Sequence, residues 1–252
     1  MASPRRQSSW MRGQTVPMAA ITSTLALAGV AWIVAAVRMR GMDMGPGSDL
    51  GSLSFFAGTW TVMMAAMMLP SALPAVVSFE RIAGRRLGAS AVGSLLFAAS
   101  YIAVWVLVGV ASFAAYRGIR AADFGFLGWD RGGAAIAGAA VIAAGIYELT
   151  PLKRAYLGRC RAHVDRRAGN AVVAGVRYGA NCVGCSAGLM LVLFALGVTS
   201  VTWMVVVAAL VFVEKVPPVG ARLVAPIAVL LVVLGLWIAL DASSVPGLTS
   251  PL

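Results

Sequence analysis

Charged side chains are scarce in this chain. Only 12% of its 252 residues are Asp, Glu, Lys or Arg, whereas a soluble domain carries about 25%. Apolar residues make up 60% of the chain, and the mean hydropathy is +0.89. The low charge excludes a soluble enzyme, and a disordered chain is excluded because so much apolar surface cannot remain in water. A polytopic membrane protein remains.

Residues that carry chemistry are also few. With 3 cysteines the chain cannot be a secreted disulfide scaffold, which needs a larger and even set. The single histidine argues against haem-copper chemistry, which requires several imidazole ligands. The sequence contains no phosphate-binding loop, dinucleotide fingerprint, nucleophile elbow or zinc-protease motif. We therefore expect a protein that is not an enzyme.

Long apolar runs predict an all-α bundle of about seven transmembrane helices. Most of the runs approach or exceed the roughly 20 residues that a helix needs to cross a bilayer. One apolar stretch is too long for a single span, and we interpret it as a tight helical hairpin that is split near Gly197. The predicted spans are 17–37, 55–79, 89–116, 133–152, 183–198, 200–216 and 222–240.

The placement of basic residues predicts the orientation of the bundle. With the N-terminus in the cytoplasm and the C-terminus outside, 15 of the 20 Lys and Arg residues lie on the cytoplasmic side. The predicted organisation is a cytoplasmic tail over 1–16, the bundle over 17–240 and a C-terminal tail over 241–252. A basic cytoplasmic loop over 153–178 is attracted to anionic membrane lipid. Nucleic acid is not expected as a partner, because no stacking aromatics or recognisable module accompany this loop.

The second predicted span carries four methionines in two pairs with a spacing of four residues. Residues at this spacing lie above one another on a helix, so the thioethers form a stripe over adjacent faces. Thioether sulfur is a soft ligand that favours monovalent copper over zinc or magnesium. Packing alone is the alternative, since methionine is a flexible gap-filler. The four candidates are Met63, Met64, Met67 and Met68.

Cys182 and Cys185 form a Cys-x-x-Cys pair at the cytoplasmic end of the fifth predicted span. Three residues apart on a helix, the two thiols share a face and can bind one soft metal ion. Cys160, in the preceding loop, is a candidate to close a three-sulfur site. We also expect Cys182 near a helix N-terminus, where the helix dipole favours the thiolate. A redox dithiol and small apolar fillers remain alternatives, although the βαβ context of redox motifs is missing.

Two carboxylates fall near the cytoplasmic ends of predicted spans. Glu148 lies at the end of the fourth span and Glu214 at the end of the sixth, at a depth similar to that of the Cys-x-x-Cys pair. Charged residues inside spans are functional candidates, so both are candidates to balance the charge of a bound ion or to complete its shell. The alternative is two interfacial ion pairs, Glu148 with Lys153 and Glu214 with Arg222.

Five short motifs follow one another along the chain. In order they are Met63–Pro70 with Pro74, Tyr147–Lys153 followed by Cys160, Gly179–Cys185, Trp203-Met204 and Glu214-Lys215. Together they resemble a bacterial and archaeal family of predicted metal-binding integral membrane proteins of unknown function, and the resemblance covers about residues 55–217. The chain departs from the family pattern at Ser186, where a further cysteine is frequent, and at Val198, where methionine is frequent.

The resemblance implies a multi-span bundle in a bacterial cytoplasmic membrane, with a metal site linked to copper handling or copper-oxidase assembly. The leading hypothesis is a protein that binds monovalent copper and passes it to a partner, such as an oxidase subunit or a metallochaperone. The thiols would bind the ion, and the methionine stripe would relay it. A transporter of a small solute or cation, with Glu148 as its coupling carboxylate, and a structural subunit without ligand are the alternatives.

Overall fold

The regular secondary structure in the described part of the chain is helical, which confirms the predicted all-α fold class. The computed structural model describes residues 18–40, 51–87, 91–121, 133–162, 170–197, 200–215 and 219–241. The predicted N-terminal tail and residues 242–252 of the C-terminal tail lie outside them. The helices are α1 (Met18–Met39), α2 (Leu53–Leu87), α3 (Ala91–Ala121), α4 (Ala134–Glu148), α5 (Pro151–Arg161), α6 (Ala171–Leu196), α7 (Val201–Lys215) and α8 (Val219–Leu240).

The predicted count of about seven spans is not confirmed. Five described helices, α1, α2, α3, α6 and α8, are long and apolar enough to cross a membrane. The pair α4 and α5 makes a sixth span if its two bent parts are counted together. Helix α7 has 15 residues, and at 1.5 Å per residue it reaches only about 22 Å of a hydrocarbon core of about 30 Å.

The break between α4 and α5 follows from Thr150 and Pro151. The Thr150 hydroxyl accepts a hydrogen bond of 3.2 Å from the backbone N–H of Lys153, and Pro151 occupies the start of the helix, where it needs no N–H donor. The two helices are bent by 64° at this point. As a result, part of the predicted basic loop is helical, and the buried face of α5 carries Lys153, Leu157 and Cys160.

Helix α6 begins twelve residues earlier than the predicted span. Asn170 caps it, accepting a 2.8 Å hydrogen bond from the N–H of Val173. The hydropathy pattern hid this start because the segment contains Arg177, whose side chain is exposed on the helix surface. Cys182 therefore lies about three turns inside α6. The helix dipole favours a thiolate only in the first turn of a helix, so the expectation that it does so at Cys182 is wrong.

Helices α2 and α6 form the centre of the bundle. About two thirds of the α2 span and 56% of the α6 span are buried, against 28% for each of α1, α3 and α8. Helix α6 packs against α3, α4, α5 and α7, and α2 packs against α1, α3 and α7. Side chains on the inner faces of α2 and α6 are thus shielded from lipid by the surrounding helices.

Helices α4 and α8 are packed closely through glycines. A Cβ atom at Gly138 would lie 2.5 Å from the carbonyl oxygen of Gly235, and one at Gly235 would lie 2.7 Å from that of Gly138. Real Cβ atoms do not approach backbone atoms this closely, so the two helices can meet here only without side chains. Small residues at such crossings are typical of helices packed in membranes.

Replacing Gly138 by alanine is therefore expected to force α4 and α8 apart. We expect the free energy of unfolding in detergent to fall by about 1–3 kcal/mol, the usual cost of overpacking. Gly29→Ala in α1 is the control, because no atom lies within 4 Å of its added Cβ and helix propensity improves by about 1 kcal/mol. Thermal unfolding of both variants checks this, and equal effects would contradict the close crossing.

Candidate functional site

Cys160 and Cys185 are brought together by the packing of α5 on α6. Their sulfur atoms are 3.3 Å apart, and both side chains are buried. The Cys185 thiol also contacts the carbonyl oxygen of Cys182 one turn earlier, at 3.3 Å. All three cysteines are free thiols. The bend after Glu148 is what turns Cys160 toward α6, so this sulfur pair depends on the Thr150-Pro151 break.

Cys182 occupies a different environment on the same helix. Its sulfur lies 3.1 Å from the hydroxyl of Tyr101 on α3 and 3.0 Å from the ammonium nitrogen of Lys215 on α7. Lys215 also donates a 2.9 Å hydrogen bond to the hydroxyl of Ser71 on α2. Four helices thus meet at Cys182, and a positive charge stands beside its sulfur.

The predicted three-sulfur site is not assembled as one group. Within the described ranges, no three Cys, His, Asp or Glu side chains are close enough to hold a metal ion together. Cys185 contacts Cys160 through its sulfur, whereas the Cys182 sulfur has Tyr101 and Lys215 as hydrogen-bond partners. The structure therefore provides a dithiol between α5 and α6 and a third thiol one turn before it on α6.

Glu148 and Glu214 meet on a single ammonium group. Lys153 on α5 donates to Oε2 of Glu148 on α4 and, over 2.8 Å, to Oε2 of Glu214 on α7. All three side chains are almost completely buried. Of the two alternative ion pairs, Glu148 with Lys153 is present, but Glu214 also pairs with Lys153, and the Arg222 side chain is exposed. Both pairs with Lys153 are buried inside the protein.

The methionine stripe faces the interior of the bundle. Each of the four side chains is at most 1% exposed, so none of them faces lipid. The hydroxyl of Tyr101 donates a 3.4 Å hydrogen bond to the carbonyl of Met68 and contacts the Cys182 sulfur at 3.1 Å. One end of the stripe is thereby close to the third thiol. The burial of the four methionines is compatible with both alternatives: side chains that only pack, and thioether ligands arranged along the interior of the bundle.

A comparison with known families identifies the group to which the chain belongs. The family model described as PpoB2, copper chaperone, matches residues 57–238, which is more than half of the chain. The chain belongs to this copper chaperone family. No curated protein and no solved structure matches it. The resemblance drawn from the motifs is confirmed, and all nine candidate residues lie within the matched part.

Membership of the copper chaperone family indicates copper handling, and the apolar helices are compatible with a multi-pass membrane protein. The donor chemistry fits copper as cargo, because buried thiols and thioethers are soft ligands. Ser186 is buried next to Cys185, with its hydroxyl 3.7 Å from the Cys185 sulfur.

The sequence interpretation gave no role to two residues that organise the site, Tyr101 and Lys215, and gave Lys153 only as an ion-pair partner of Glu148. Tyr101 and Lys215 contact the Cys182 sulfur, and Lys153 joins the two carboxylates. A signal for the lysines was present, since they are the only two lysines among 20 basic residues. Both are buried, whereas Arg154 and Arg177 are exposed.

Proposed function

We propose that this chain is a membrane-embedded carrier of monovalent copper and not an enzyme. The observation that carries the proposal is the buried sulfur pair of Cys160 and Cys185, 3.3 Å apart across two helices. Two metal–thiolate bonds of about 2.3 Å each, the length found in zinc sites, span more than this distance, so one ion can bridge both sulfurs. Membership of a copper chaperone family supports copper as the cargo.

The remaining candidate residues have supporting roles in this proposal. Cys182 is a third thiolate, one turn from Cys185, and the Lys215 ammonium offsets part of the negative charge that deprotonated thiols bring. Glu148 and Glu214 are not ligands in this proposal, because both carboxylates are directed at Lys153 and not at the sulfur pair. The stripe of Met63, Met64, Met67 and Met68 relays the ion along α2 by exchange between soft ligands.

The cellular setting is part of the same proposal. The ion passes to a copper-oxidase assembly or a metallochaperone, in a bacterial cytoplasmic membrane with the N-terminus inside. The positive-inside distribution of Lys and Arg supports this orientation.

The binding of monovalent copper by the purified protein tests the proposal. A chromophoric chelator of this ion competes with the protein in detergent, without oxygen and with a reductant, and we expect one ion bound per chain. A protein that leaves all copper with the chelator would support the structural-subunit alternative. Copper accumulation inside proteoliposomes would instead favour the transporter alternative, with Glu148 as the coupling carboxylate.

A further inference from the structure

The carboxylate cluster contains one more negative charge than positive charge. Glu148 and Glu214 share the single ammonium group of Lys153. The nearby cations are directed elsewhere, because Arg161 donates to the backbone carbonyl of Glu214 and Lys215 donates to Ser71 and Cys182. An uncompensated charge inside a bundle of apolar helices is strongly unfavourable.

Within the described ranges, the helices that surround the cluster supply no further charge to it. Helix α6 presents Gly188, where an added Cβ would lie 2.9 Å from Oε1 of Glu148. Tyr147, beside Glu148 on α4, donates its hydroxyl to the carbonyl of Gly184 over 2.7 Å. On α8 the side chain of Arg222 is exposed. The charge of the cluster is therefore set by its own three members.

The carboxylate oxygens that do not contact Lys153 give a second, independent observation. Oε1 of Glu148 and Oε1 of Glu214 are both buried, and neither has a hydrogen-bond partner within the described part of the chain. Leaving a buried polar atom without a partner costs about 1–3 kcal/mol, and more for a charged group. A proton on one carboxyl group would convert an acceptor into a donor and would cancel the excess charge.

We propose that Glu148 and Glu214 form a site that binds one exchangeable proton inside the bundle. The two carboxyl groups are neighbours because both contact the same ammonium nitrogen. Two such carboxyl groups in a buried site do not both ionise, and they gain and lose the proton as a pair. With one proton bound, the pair and Lys153 together are neutral. The site requires no copper and shares no residue with the thiol pair that carries the proposed function.

Infrared spectroscopy of the full-length protein in detergent, without copper, tests the site. We expect the carbonyl stretch of one protonated carboxyl group per chain near neutral pH, with a shift on transfer to heavy water. Glu148→Gln and Glu214→Gln are each expected to remove this band completely, because the remaining carboxylate then forms a neutral ion pair with Lys153. Both substitutions preserve side-chain volume and remove the excess charge, so both variants are expected to fold.

Glu80→Gln is the matched control. Glu80 is also buried, but its carboxylate accepts a hydrogen bond from Ser94 on α3 and is not part of the Lys153 cluster. We expect the shifting band to persist in this variant. A wild-type spectrum without the band, a band that does not shift in heavy water, or a band that survives in both Glu148→Gln and Glu214→Gln would overturn the proposal. Copper binding is measured separately, so either proposal can fail alone.

Discussion

Replacing Cys160 or Cys185 by serine is expected to remove most of the stabilisation that monovalent copper gives to the folded protein. Copper at a thousandfold excess over its Kd stabilises the folded state by about 4 kcal/mol, and each of these variants should lose most of that increment. The reason is that serine oxygen is a hard donor and the remaining sulfur cannot bridge an ion alone. Thermal unfolding in detergent, with and without copper under reducing conditions, measures the loss.

Two further variants show whether the effect is specific to the sulfur pair. Cys182→Ser should lose only part of the increment, because the Cys182 sulfur is also engaged by Tyr101 and Lys215, whereas Cys160 and Cys185 face each other across two helices. Met63→Leu should retain the increment, since a relay thioether contributes less at equilibrium than a thiolate. Equal losses at all three cysteines would indicate a true three-sulfur site. No loss in Cys160→Ser or Cys185→Ser would contradict the proposed ligands.

Replacing Lys153 by methionine is expected to be among the most destabilising single changes in the chain. The substitution leaves Glu148 and Glu214 buried without their shared ammonium group. Breaking a buried ion pair by removing one partner typically costs about 3–5 kcal/mol, because the other partner remains uncompensated. Chemical or thermal unfolding in detergent, compared with the wild-type protein, gives the change in the free energy of unfolding.

A compensated variant and a surface control complete this experiment. In the combined Glu148→Gln, Lys153→Met and Glu214→Gln variant no charge is buried, so we expect most of the lost stability to return. Arg154→Met removes the neighbouring base, which is exposed, and should change stability by about 0.5 kcal/mol or less. If Lys153→Met is as mild as Arg154→Met, the buried cluster does not contribute as described.

The sequence alone determined the all-α fold class and the copper-handling family, and it supplied the candidate ligands, which stay a prediction. The length of an apolar run predicts a membrane helix because each helix satisfies its own backbone hydrogen bonds. Such a helix can therefore be recognised from local composition, without knowing its neighbours. The placement of Cys182 and Cys185 on one helix face follows from the helical period, which is local. The motifs from Met63 to Lys215 led to a copper-handling family, which the match over residues 57–238 confirms.

Only the tertiary structure decided which of these residues meet. Cys160 contacts Cys185 across 25 positions of sequence, and Lys153 contacts Glu214 across 61. Neither pairing follows from local periodicity, because both depend on the direction in which α5 leaves the bend after α4. The hydropathy pattern also placed the start of α6 too late. The exposed Arg177 lowers the hydropathy of the first turns of this helix, so that they resemble a loop in the sequence. The sequence supplied the ligand chemistry, and the packing of α5 on α6 and α7 selected the partners.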